Sequence, residues 1–135
     1  MTQTILVVDD DPVTCRLLEA AITRYGLKVA TASGGGPALD LLLSPSGEDI
    51  SLVLFDIIMP DINGIEVLTK LRAVNQKLAV IVLTAKGGID SEAEAMRAGA
   101  NDFLVKPTSP ERIMDSIQTV LELRALSDGV TCPKK

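Results

Sequence analysis

The chain has 135 residues, a formal net charge of −5, no histidine, and only one Tyr and two Phe as aromatics, with a pI near 4.6. That length suits one domain with a single core and no need of disulfide or metal staples. The acidic balance speaks against a sequence-blind nucleic-acid binder, which requires a basic face, and without histidine any acid, base or metal chemistry falls to carboxylates, Lys, Thr or Ser.

The first apolar run, Ile5 to Val8, reads as a short strand and ends in Asp9-Asp10-Asp11. Pro12 suits a helix's first turn with Asp11 as its cap, and Leu17, Leu18, Ala21, Ile22 and Tyr25 recur at helical spacing until Gly26. Lys28 to Ala32 forms a second strand, and Ser33 to Pro37 a turn into a short helix that runs through Leu43. The glycine triplet 34–36 lacks the Lys-Ser/Thr of a phosphate cradle, and Pro37 removes a donor, so it reads as a turn. Residues 44–49 are polar and are expected as a surface loop.

Leu52-Val53-Leu54-Phe55 is a third strand that stops at Asp56, with Pro60 and Gly64 preventing its continuation. A helix follows from about Gly64, with Ile65, Leu68, Leu71 and Val74 on one face. Leu78 to Leu83 is the fourth strand, ending at Thr84, and Ser91 to Ala98 is an Ala-rich helix closed by Gly99. Its apolar stripe of Ile89, Ala93 and Met96 is thin, so this helix is expected to be loosely held. Asp102 to Val105 is the fifth strand, ending in Lys106-Pro107. Ser109 caps the last helix, whose face of Ile113, Ile117, Val120 and Leu121 continues to about Leu126. Residues 1–126 are therefore expected to form one domain, and residues 127–135 a tail or the start of a linker. The repeated strand and helix alternation specifies an α/β fold, a doubly wound five-stranded parallel sheet with helices on both faces.

Cys15 and Cys132 have no CxxC spacing and are expected as reduced cytoplasmic thiols. No apolar run reaches transmembrane length, and residues 1–4 lack the order of an export signal, so no membrane contact and a cytoplasmic location are expected.

In a parallel sheet every strand C-terminus lies on one edge, so Asp9, Asp10, Asp56, Thr84 and Lys106 converge there. Two carboxylates about 5 Å apart repel by roughly 3 kcal/mol at an effective dielectric near 20. A cation among them relieves this, and an all-oxygen donor set suits Mg²⁺ best. Lys106 adds a second positive charge and Thr84 a hydroxyl donor. These are the parts of in-line phosphoryl transfer to a carboxylate.

The ordered set Val7-Val8-Asp9-Asp10-Asp11, Asp56-Ile57-Ile58-Met59-Pro60-Asp61-Ile62-Asn63-Gly64, Leu83-Thr84-Ala85 and Phe103-Leu104-Val105-Lys106-Pro107 resembles the receiver domain of two-component response regulators, of the chemotaxis-regulator type. The resemblance runs to about residue 125. It implies a flavodoxin-like strand order of 2-1-3-4-5 with five helices, and a signalling domain rather than an enzyme. Asp56 would accept a phosphoryl group from a histidine kinase or a His-containing phosphotransfer protein. Asp10, Asp56 and the backbone carbonyl of Ile58 would bind Mg²⁺, with Asp9 acting through water, and Thr84 and Lys106 would contact the phosphoryl oxygens.

The same resemblance implies a cis Lys106-Pro107 peptide, although only about 5–6% of X-Pro bonds are cis. Thr84 and Phe103 would form the switch, by sterics alone because Phe103 has no hydroxyl. The face of the fourth helix, fifth strand and fifth helix would meet a homodimer mate or a downstream protein, with no direct nucleic-acid contact. Ile58, being apolar, cannot orient water, so slow dephosphorylation is expected.

Three other readings compete. Asp9-Asp10-Asp11-Pro12-Val13 also resembles the nucleophile motif of haloacid-dehalogenase-type phosphatases, with Asp9 as nucleophile, but that reading lacks a later strand ending in an acid pair. A flavodoxin-type electron carrier would find its FMN phosphate repelled by the Asp triplet. A docking module that is never phosphorylated leaves the full chemical set unexplained.

Overall fold

The computed structural model describes residues 4–56, 64–85 and 89–127. Within them the chain forms β1 (Thr4–Val8), α1 (Pro12–Thr23), β2 (Lys28–Ala32), α2 (Gly35–Leu43), a 3-10 turn (Pro45–Asp49) and β3 (Ile50–Phe55). It continues with α3 (Gly64–Val74), β4 (Ala79–Thr84), α4 (Ile89–Ala98), β5 (Asp102–Val105) and α5 (Pro110–Ser127). The five strands are parallel in the order β2-β1-β3-β4-β5, the doubly wound arrangement and strand order expected. The order reverses between β1 and β3, and sheets of this kind bind ligands beyond the strand C-termini at such a reversal.

Successive strand residues face opposite ways, which gives the sheet two cores. Leu6, Val8, Val53, Phe55, Val80 and Val82 pack with Ala38 of α2, Val67, Leu68 and Leu71 of α3 and Ala95 of α4. On the other face Ile5, Val7, Leu52, Leu54, Ile81 and Leu83 pack with Cys15, Leu18 and Ile22 of α1, and with Ile113, Met114, Ile117 and Val120 of α5. Burial on both faces is why these strands read as continuous aliphatic runs. Among the described residues no helix is long and apolar enough to cross a membrane.

Local chemistry sets the helix ends. The Asp11 carboxylate accepts the Val13 N–H at 3.0 Å and the Thr14 hydroxyl at 2.9 Å, and Pro12 opens α1. Those two donors, the hydroxyl first, hold the Asp11 carboxyl below its usual value. Ser109 accepts the Arg112 N–H at 3.1 Å at the start of α5.

Several expectations needed correction. In α1 the buried stripe is Cys15, Leu18 and Ile22, whereas Leu17 is 67% exposed and Tyr25 49%. Helical spacing identified the helix but admitted residues one position off its inner face. On α4 it is Ala95 that is fully buried, and Met96 is 43% exposed, because a methyl lets the helix lie close to the sheet. The side chain of Ile89 lies outside the described residues. Helix α2 starts at Gly35 with Gly34 as its cap, so two residues of the glycine triplet sit in its first turn. Within the polar surface stretch 44–49, Pro45–Asp49 form a 3-10 turn, and β3 starts at Ile50.

Helix α4 ends in a Schellman motif, with Ala100 N–H bonded to the Ala95 carbonyl and Gly99 N–H to that of Met96, each at 3.1 Å. Gly99 has φ +115°, and a Cβ there would lie 2.7 Å from Arg72 Cγ. Gly99→Ala is expected to destabilise the fold by about 1–3 kcal/mol. Urea unfolding should show a lower midpoint at unchanged slope.

Candidate functional site

Strand register brings the acids together. Val8 of β1 pairs with Phe55 of β3, so the residues that follow them, Asp9 and Asp56, are neighbours at the sheet's C-terminal edge. Thr84 pairs with Val105 across β4 and β5, which places Lys106 beside them. The backbone ladder runs one step past the strands: Asp56 N–H donates to the Val8 carbonyl at 3.1 Å, Asp9 N–H to Ala32 at 3.1 Å and Lys106 N–H to Thr84 at 2.8 Å. Three of the site's residues are thus held by the sheet itself.

Asp9 and Asp56 are only 4% and 8% exposed, while Asp10 faces solvent. Carboxylate oxygens of the three lie within 4.8 Å of one another. The Lys106 ammonium donates to Asp9 Oδ2 at 2.8 Å and to Asp56 Oδ2 at 3.2 Å. Burial works to lower the pKa of this ammonium, but the Asp9 hydrogen bond and the charges of Asp56 and Asp9 outweigh it, so Lys106 titrates above its ordinary 10.5. Among the described residues one lysine meets three carboxylates, and the remaining negative charge on a set of hard oxygen donors fits a small divalent cation.

Thr84 is fully buried at the end of β4. Phe103, opposite Val82 in β5, is half-buried against the core under α2, α3 and α4. The Lys106-Pro107 peptide is cis. Ile58 falls outside the described residues.

Two contacts had no signal in the sequence. The Asp11 N–H donates to Asp9 Oδ1 at 3.0 Å, and the Cys15 thiol donates to the Asp9 carbonyl at 3.4 Å. Together they fix the Asp9 loop from the N-cap and first turn of α1. Burial, reinforced by the Asp9 charge, pushes the Cys15 thiol above its ordinary pKa, as suits an inert packing thiol.

Residues 5–118 match the family model described as the response regulator receiver domain. The chain is 36% identical over 130 residues to the probable transcriptional regulatory protein TcrX of Mycobacterium tuberculosis, covering 95% of this chain and 52% of that protein. It is 34% identical over 121 residues to the transcriptional regulatory protein SrrA of Staphylococcus aureus, covering 90% and 48%. The chain therefore spans about half the length of these two relatives. Among solved structures, the CheY-like response regulator receiver domain protein of Methanospirillum hungatei superposes with a TM-score of 0.88 at 26% identity, covering 94% of this chain and 99% of that one. A receiver domain from Clostridium thermocellum gives 0.85 at 27%, covering 92% and 98%.

Proposed function

The chain belongs to the response regulator receiver domain family, and from that footing we propose that Asp56 is the phosphoacceptor of a two-component system. The observation that carries this reading is the buried Asp56 carboxylate at the strand-order reversal, hydrogen-bonded to Lys106 and within 4.8 Å of two further carboxylates. The donor is a phosphohistidine on a histidine kinase or a His-containing phosphotransfer protein. An Asp56 oxygen attacks phosphorus, the P–N bond to imidazole breaks, and an acyl phosphate remains on Asp56.

Asp10 and Asp56 would hold Mg²⁺ directly, with the Ile58 carbonyl as a third ligand and Asp9 through water. When bound, Mg²⁺ supplies charge neutralisation for the incoming phosphoryl oxygens. Lys106, held by Asp9, keeps its ammonium at the position where a phosphoryl oxygen would replace the Asp56 contact. The Thr84 hydroxyl donates to another phosphoryl oxygen.

Phosphorylation would draw Thr84 inward, and Phe103 would fill the space it leaves. The consequence is read on the face of α4, β5 and α5, where exposed Met96 and Val105 offer apolar contact to a dimer mate or a downstream protein. In this reading residues 1–126 are the receiver, residues 127–135 a tail or linker, and the chain signals in the cytoplasm without catalysing a reaction on another substrate. Nucleic acid is not contacted by this domain itself.

The test is incubation with acetyl phosphate, with and without Mg²⁺, followed by intact-mass measurement. A gain of one phosphoryl group that EDTA abolishes is expected. Unchanged mass at millimolar Mg²⁺, with a phosphohistidine donor also failing, would overturn the reading.

A further inference from the structure

Arg72, near the end of α3, is half-buried, and among the described residues its partners are five neutral oxygens. Nε donates to the Gly99 carbonyl at 2.9 Å, Nη2 to the Asn101 side-chain oxygen at 2.8 Å, and Nη1 to the carbonyls of Asn75 and Gln76 at 3.3 Å and to that of Leu78. The Asn101 oxygen also accepts the Val80 N–H at 2.8 Å, and the Asn101 N–H donates to the Val80 carbonyl at 2.7 Å. One guanidinium thus ties together the C-terminal ends of α3 and α4 and the N-terminal end of β4. All lie at the edge of the sheet opposite Asp56. A cation placed against the carbonyls that close two helices is also favoured by their dipoles.

Among the described residues, no side chain of α4 before Ala95 is fully buried. The helix's only fully buried side chain with a described position is Ala95, one turn from the C-terminal end, and Asp90, Glu92 and Glu94 face solvent. Among the described residues, polar attachment of α4 therefore gathers at its C-terminal end, and its apolar attachment to the core rests on Ala95 and Ala98.

We propose that Arg72 is a positioning residue that makes Gly99 a fixed pivot, so that α4 answers the state of the Asp56 site by swinging its N-terminal turn and not by sliding. The proposal rests on the phosphoacceptor reading for what drives the swing, but not for the pivot itself. At about 1.5 Å per residue, Asp90 stands roughly 13 Å from Gly99. A tilt about that point moves the end near the site and leaves the far end still.

The test uses electron-spin distance measurements on the full chain with Cys132→Ser, leaving Cys15, which is buried. One label at Thr23→Cys, on the opposite face, is paired with a second at either Asp90→Cys or Arg97→Cys. Without phosphodonor, the Arg97 label should give a narrow distribution that broadens at least about twofold in Arg72→Gln. On phosphorylation the Asp90 distance should shift while the Arg97 distance stays put, and in the Arg72 variant both should move. Arg72→Lys, which keeps the charge and stem but cannot span Gly99 and Asn101 together, should behave as Arg72→Gln does and serves if the latter fails to fold. An Arg97 distribution equally narrow in wild type and both variants would overturn the pivot, as would an Arg97 shift equal to that of Asp90 in phosphorylated wild type. Absence of phosphoryl incorporation would instead count against the phosphoacceptor reading, and the comparison without phosphodonor would still decide the pivot.

Discussion

Asp56→Asn is expected to reduce Mg²⁺-dependent phosphoryl incorporation from acetyl phosphate by roughly 100-fold or more, because the amide oxygen is a far weaker nucleophile and carries no charge to bind the cation. The fold should survive. Asn nearly matches Asp in volume, and the Asp56 backbone remains held by the Val8 carbonyl. One buried negative charge also leaves the cluster, so the variant should be no less stable than wild type at neutral pH. Quantifying bound phosphoryl by intact mass, with unfolding midpoints on the same samples, separates chemistry from folding. Label that persists at wild-type levels in Asp56→Asn and vanishes in Asp9→Asn would move the nucleophile to Asp9, as in the haloacid-dehalogenase-type reading.

Lys106→Met should give the largest stability loss among single changes at the site. It removes the ammonium that bonds Asp9 at 2.8 Å and Asp56 at 3.2 Å and leaves both buried carboxylates facing each other and Asp10. Breaking a fully buried pair costs roughly 3–5 kcal/mol. The Lys106 side chain is 25% exposed, so a loss of about 2–3 kcal/mol is expected. Millimolar Mg²⁺ should recover part of it by supplying positive charge to the same oxygens.

The pH dependence follows from the raised Lys106 pKa. Its folded value lies above the unfolded 10.5, so its stabilisation is fully present below pH 10.5 and is lost as pH rises through the folded value. The gap between wild type and Lys106→Met in urea unfolding should be constant from pH 7 to 10 and narrow above that. A gap that widens above pH 10.5, or none at neutral pH, would show that Lys106 does not hold the acids.

The strand ends were legible because each is a local event: an aliphatic run meets an acid, a hydroxyl or a Lys-Pro step. Helix faces were legible only to within a residue. Leu17 and Met96 kept the right spacing yet point outward, since periodicity locates a stripe and the neighbouring elements choose its centre. The Arg72 cluster was not legible at all. Its guanidinium reaches Gly99 and Asn101, 27 and 29 positions away, and in sequence it is one more polar residue on an amphipathic helix.

By itself the sequence determined the alternation of strands and helices, the parallel sheet and the roster of chemical groups on one edge, because these depend on hydrophobic period and on what breaks it. Only the tertiary structure decided how those groups divide their work. Lys106 meets Asp9 across 97 positions and Asp56 across 50, Asp10 is left in solvent, and Arg72 binds the carbonyl of Gly99 that closes α4. Such pairings arise from strand register and helix docking, which bring distant residues into hydrogen-bond contact and leave no mark on the spacing between neighbours in the chain.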